Sequence, residues 1–130
     1  MSERIWIEDD LVLAIHDRLL VEHGGAEGVR DESLLQSALA RALNHTAYAS
    51  SDIIELAAKY TAGIVQNHPF VDGNKRTGFV IGVLFLELNG YRFTASEEAA
   101  AQAVLELAAG AVDEKGFCEF LRANSQRNRK

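Results

Sequence analysis

Residues 68–76 read His-Pro-Phe-Val-Asp-Gly-Asn-Lys-Arg and put an imidazole, a carboxylate, a carboxamide and two cations within nine positions. Pro69 is the only proline of the chain. A helix should therefore end near Asn67, because the residue before a proline is pushed out of the α region. After a short loop over residues 69–73, a new helix is expected from about Asn74. Its first N–H groups have no partners within the helix and carry the positive end of its dipole, so they can receive an anion. Gly73 lets the backbone come close to a ligand. Lys75 and Arg76 add two full charges to the first turn, where the dipole disfavours cations. An anion resolves that mismatch, and phosphate suits these donors best. Asp72 could then hold Mg2+ against the phosphates. Asn74 could donate to a phosphate oxygen, and His68 could accept a proton from a hydroxyl. The set fits phosphoryl-group chemistry with nucleotide and metal. A histidine before proline is also commonly structural, and Asp-Gly-Asn is ordinary turn chemistry. The residues alone leave both readings open.

The elements that must position this loop are helical. The chain has 130 residues, 48% hydrophobic and 25% charged, which suits a single domain over residues 1–130. Nineteen alanines and one proline leave almost nothing to forbid helices. A helix over about residues 8–23 puts Leu11, Ile15 and Leu19 on one face and stops at Gly24-Gly25. Asp31 can cap a second that runs through Leu34, Leu35, Ala38, Leu39 and Ala42. Ser51 and Asp52 open a third, which carries Ile54, Ala57, Ala58, Thr61, Ile64 and Val65. The fourth, about residues 74–89, is apolar around most of its circumference, so it belongs in the middle of a bundle. Gly78 and Gly82 on it admit a neighbouring helix closely, and Gly90 ends it. Thr94 with Glu97 reads as a capping box for a fifth helix over about residues 95–109, and residues 113–124 read as a sixth. Residues 4–7 and 91–93 are expected to be short extended pieces. The fold class is all-α.

Nineteen acidic against 13 basic residues give a net charge of −6. Four of the cations, Arg122, Arg127, Arg129 and Lys130, fall in the last nine residues. An acidic body argues against broad binding to a nucleic-acid backbone, and the basic tail reads as a solvated, frayed terminus. No apolar run approaches the roughly 20 residues of a membrane span. The first residues lack the pattern of a signal peptide. A cytoplasmic protein without membrane or direct nucleic-acid contacts is expected. Cys118, the sole cysteine, lies between Phe117 and Phe120 and reads as a packing residue. His16, His23 and His45 lack the spacing of a zinc site. Trp6 reads as a core or edge anchor, whereas Arg30 could equally pair within the fold or touch substrate.

The run His68-Pro69-Phe70-Val71-Asp72-Gly73-Asn74-Lys75-Arg76-Thr77 resembles the signature of the Fic/Doc superfamily, and most closely its Doc (death-on-curing) branch. The likeness continues through residues 85–91 and, upstream, through residues 28–41. It implies a six-helix Fic/Doc-like bundle around a buried central helix. Fic enzymes transfer AMP from ATP to a protein hydroxyl, and their signature has a glycine in place of Lys75 and a second arginine in place of Phe79. The Doc branch keeps the lysine and lacks that arginine. Its members phosphorylate a threonine of elongation factor Tu, stop translation, and are held inactive by a Phd-type antitoxin. On that resemblance His68 is the general base, Asp72 holds Mg2+, and Gly73, Asn74, Lys75 and Arg76 grip ATP, with Lys75 acting on the transferring group. The chain is then expected to be the toxin of a type II toxin–antitoxin system, a kinase using ATP and Mg2+. A Phd-like antitoxin would fold its C-terminal segment into a groove, walled by the Leu11–Ile15–Leu19 face and by the last helix around Phe117 and Leu121. Nucleotidyl transfer is the alternative activity, and a non-catalytic nucleotide- or partner-binding module is the alternative class.

Overall fold

The computed structural model describes residues 4–46 and 52–128. In chain order the elements are α1 (Asp9–His23), α2 (Glu32–Thr46), α3 (Ile53–Asn67), α4 (Asn74–Leu88), β1 (Tyr91–Phe93), α5 (Glu97–Ala109), α6 (Glu114–Ala123) and β2 (Ser125–Arg127). The expected all-α bundle of six helices is what forms, with one two-stranded ribbon added. None of the described helices is long and apolar enough to cross a membrane.

Helix α3 is the axis of the bundle. A capping box starts it: the Asp52 carboxylate accepts from the Glu55 N–H at 2.8 Å, and the Glu55 carboxylate accepts from the Asp52 N–H. Ser51, expected to share that start, lies outside the described residues. All six residues expected inward on α3 are buried, and Leu56, Tyr60, Ala62 and Gly63 join them. Helix α3 packs against α2, α4, α5 and α6. Helix α4 presents its Gly78–Gly82 side to α3, where Thr61 donates its hydroxyl to the Gly78 carbonyl at 2.8 Å. Its opposite side is only half-buried, at Phe79, Val80, Val83 and Leu84, so α3 is the more fully enclosed of the two helices.

Several local expectations need correction. The inward stripe of α1 centres on Val12 and His16, while Leu11 remains 38% exposed. Ser96, not Thr94, caps α5 by accepting from the Ala99 N–H at 3.1 Å; Thr94 donates its hydroxyl to the Asn124 carbonyl instead. Residues 4–7 form no strand. The Asn89 carboxamide holds Ile5 by both its N–H and its C=O, and Trp6 rests on Phe85. The tail is not wholly frayed, since β2 pairs antiparallel with β1 in the register Tyr91–Arg127, Arg92–Gln126, Phe93–Ser125. Phe117 and Leu121 are core residues, and α6 packs on α3 and α5 whereas α1 packs on α4 and α2. The groove expected between α1 and α6 therefore loses its second wall. Cys118 is half-buried against the core, as a packing residue should be.

Candidate active site

The loop between α3 and α4 begins with a backbone anomaly. His68 caps α3 in the left-handed conformation (φ 56°, ψ 54°), and it is the only non-glycine residue with positive φ among the described residues. Such a residue costs of order 1–3 kcal/mol and persists only where its surroundings over-determine it. Here they do. The Arg30 guanidinium donates from Nε to the His68 carbonyl at 2.8 Å and from Nη2 to the Asn67 carbonyl at 3.0 Å. The backbone N–H groups of Arg30 and Asp31 both donate to the Pro69 carbonyl, and the Val71 N–H donates to the Gly28 carbonyl. Residues 28–31 thus run antiparallel to residues 69–71, with Val29 bridged to Phe70. Of the two roles open to Arg30 in the sequence, the structure selects pairing within the fold.

The centre of the loop is stapled from inside. Phe70 is fully buried, and its N–H and C=O both bond to the Asn74 carboxamide at 2.9 Å. Asn74 is itself only 4% exposed. Its side chain, expected from the sequence to meet a phosphate, is committed here to the loop backbone. His16 supports the same loop from α1, its ring stacked on Phe70 and its Nε2 donating to the Asp72 carbonyl at 2.8 Å.

These supports leave the polar face of the loop exposed. The Asp72 carboxylate accepts from the Ala26 N–H at 3.2 Å and the Gly73 N–H at 2.8 Å. Those two bonds, with the nearby charges of Lys75 and Arg76, hold its carboxyl below the usual aspartate range, so it is ionised at neutral pH. Gly73 starts α4 with φ 80°, a conformation that favours glycine, and gives the helix no side-chain cap. Lys75 and Arg76 are both exposed there, and neither forms an ion pair among the described residues. His68 is exposed too, its imidazole without a hydrogen-bond partner among the described residues. From Lys75 and Arg76 a cleft of about 460 Å³ runs along α4 past Phe79 and Val83, with Phe93 and Val104 on its far side. Phe79 meets Phe93 edge-on, ring centroids 5.6 Å apart.

The arrangement resembles an anion cradle with one carboxylate beside it. Mg2+ is held by one or two carboxylates together with substrate phosphates, whereas a free-standing metal site needs more protein ligands. No group of three metal-ligating side chains forms among the described residues. Asp72 therefore fits Mg2+ as the companion of a bound nucleotide.

A family model described as the Fic/DOC family matches residues 6–86, which takes in α1 to α3, the whole loop and α4 as far as Leu86. The chain belongs to the Fic/DOC family. It is 30% identical over 117 residues to the protein kinase doc of Escherichia phage P1, covering 89% of this chain and 92% of that one. It is 36% identical over 77 residues to the toxin Doc of Mycolicibacterium smegmatis, covering 58% of this chain and 59% of that one. Both relatives place it in the Doc branch of the family. Among solved structures it is similar to the ADP-bound N-terminal Fic domain of a cell filamentation protein, a VirB-translocated Bep effector, from Bartonella quintana. That likeness has a TM-score of 0.51 at 18% identity over 82% of this chain and 54% of that chain, and it supports the Fic fold.

Two supports of this Fic loop escaped sequence reasoning, the His16 ring and the Ala26 N–H. Both had a readable trace. His16 lies four residues after Val12 on one helical face, and Gly24-Gly25 and Gly28 mark a backbone that must come close to something. A Cβ on Gly25 would stand 2.9 Å from an Asp72 carboxylate oxygen.

Proposed function

We propose that this chain is a Doc-type toxin that moves the γ-phosphoryl group of ATP onto a hydroxyl of a protein. The observation that carries the reading is the side chain at position 79. In the AMP-transferring Fic enzymes a second arginine at that place grips the remaining phosphates; here it is Phe79, turned into an aromatic wall with Phe93. The cations of this site are Lys75 and Arg76, at the start of α4, so the phosphate that can be gripped most strongly is the one lying on that helix end.

In this reading the α4 N–H groups, Lys75 and Arg76 bind and orient the terminal phosphates. Asn74 acts by holding the loop closed rather than by touching the nucleotide. Asp72 would hold Mg2+, which when bound neutralises charge on the phosphate oxygens. His68 takes the proton of the target hydroxyl as the hydroxyl oxygen bonds to the γ-phosphorus. The bond from that phosphorus to the bridging oxygen breaks, and ADP carries the electron pair away. The resemblance supplies elongation factor Tu as the target and a Phd-type antitoxin as the neutralising partner of a type II system.

Expression in a bacterial host tests the toxin. The wild-type chain should arrest growth; His68→Ala and Asp72→Asn should each relieve the arrest while the protein still accumulates. Co-expression with the product of the adjacent reading frame should also relieve it. Normal growth with the wild type overturns the toxin reading. Arrest that persists in both variants overturns the assignment of the harm to this site.

A further inference from the structure

Among the described residues no side chain hydrogen-bonds to the His68 ring, so what the fold fixes is the direction in which its Cα–Cβ bond leaves the loop, and the backbone torsions that set that direction lie in the left-handed region. Whatever fixes that backbone aims the base. Three successive carbonyls, of Asn67, His68 and Pro69, each accept from Arg30 or Asp31. The first two bonds come from one guanidinium, a planar fork whose donors cannot drift apart. Arg30 is in turn anchored through its neighbour Asp31. The Asp31 carboxylate accepts from the N–H groups of Ser33 and Leu34 and so fixes the start of α2.

We propose that Arg30 is a positioning residue for His68: by bridging the Asn67 and His68 carbonyls it holds the left-handed turn that presents the imidazole. The inference rests on the kinase reading for its catalytic consequence, but the hold on the backbone is independent of it. Arg30 is exposed and lies in a loop, so its removal leaves the core untouched. A residue acting only as a helix cap would alter stability alone. A positioning residue alters turnover while leaving nucleotide capture at Lys75 and Arg76 in place.

The test compares wild type with Arg30→Gln and Arg30→Lys. Backbone chemical shifts of His68 report whether φ stays positive. Steady-state transfer from MgATP gives kcat and KM separately. Arg30→Gln, which cannot present the charged fork, should move the His68 shifts out of the left-handed range and lower kcat about 10- to 100-fold, with KM for MgATP within about twofold. Arg30→Lys, which keeps one cationic donor, should recover part of both. Unchanged His68 shifts in Arg30→Gln overturn the proposal, as does a fall in kcat matched by a loss of folded protein. If the wild type transfers no phosphoryl group, the kinase reading fails, and the His68 shifts still decide what Arg30 holds.

Discussion

His16 Nε2 lies 2.8 Å from the main-chain oxygen of Asp72, while the same ring stacks on Phe70 with centroids 3.7 Å apart and planes 9° from parallel. A carbonyl only accepts, so Nε2 carries the hydrogen. The first helix thus reaches the far end of the loop whose near end Arg30 holds, and it fixes the backbone of the residue whose carboxylate the Ala26 and Gly73 N–H groups hold.

Replacing His16 with Phe keeps a ring on Phe70 and deletes the donor. The Asp72 carbonyl then loses its partner beside a buried side chain, and the chain should lose about 1–3 kcal/mol of stability in urea unfolding. His16→Ala removes the stack as well and should cost more. Equal stability of wild type and His16→Phe would show that the bond contributes nothing.

Gly82 tests the contact between α3 and α4. A Cβ there would collide with the Thr61 hydroxyl oxygen and come within 3.1 Å of the Ala57 carbonyl. Alanine is the better helix former by about 0.8–1.0 kcal/mol, but overpacking a close helix pair costs about 1–3 kcal/mol. Gly82→Ala should therefore lower Tm. A rise in Tm would mean that helix propensity outweighs the contact.

Glu114 bridges two helices, accepting from Arg41 at 2.6 Å and from Lys59 at 2.7 Å. Burial pushes its carboxyl up, but the bonds and charges of Lys59 and Arg41 outweigh this, and the net direction is down. A carboxyl lowered in the folded state adds stability that is fully present above the ordinary glutamate range and lost as pH falls through the lowered value. Glu114→Gln should be less stable than wild type at pH 7, and the gap should narrow on acidification from the ordinary glutamate range downward. A gap that stays constant with pH would remove Glu114 from the acid response.

Much of this was legible because α2 and α3 follow a regular apolar period and because Asp31 and Asp52 are good caps. Leu35, Ala38, Leu39 and Ala42 could be placed inward from spacing alone, with Leu34 half-buried beside them, and the nine residues from His68 to Arg76 stood out by type while leaving a structural reading open. What escaped depends on tertiary partners. His16 is polar by type and turns inward only because the Asp72 carbonyl waits for its donor. Ser125-Gln126-Arg127 has no strand character of its own and pairs because β1 offers an edge. Thr94 lost the α5 cap to Ser96 because the Asn124 carbonyl claims its hydroxyl. Asn74 looked like a ligand residue for the same reason that it makes a good staple, a carboxamide that both donates and accepts.

In the proposed reaction the γ-phosphoryl group, and not the nucleotide, leaves ATP at this loop. Purified chain is incubated with Mg2+ and bacterial extract in two parallel reactions, one with ATP labelled at the α phosphate and one with ATP labelled at the γ phosphate. A labelled protein band is expected from the γ-labelled reaction alone, reduced about 10²- to 10⁴-fold in His68→Ala. A band from the α-labelled reaction would contradict it in favour of nucleotidyl transfer, and no band in either reaction would leave the loop a binding site without catalysis.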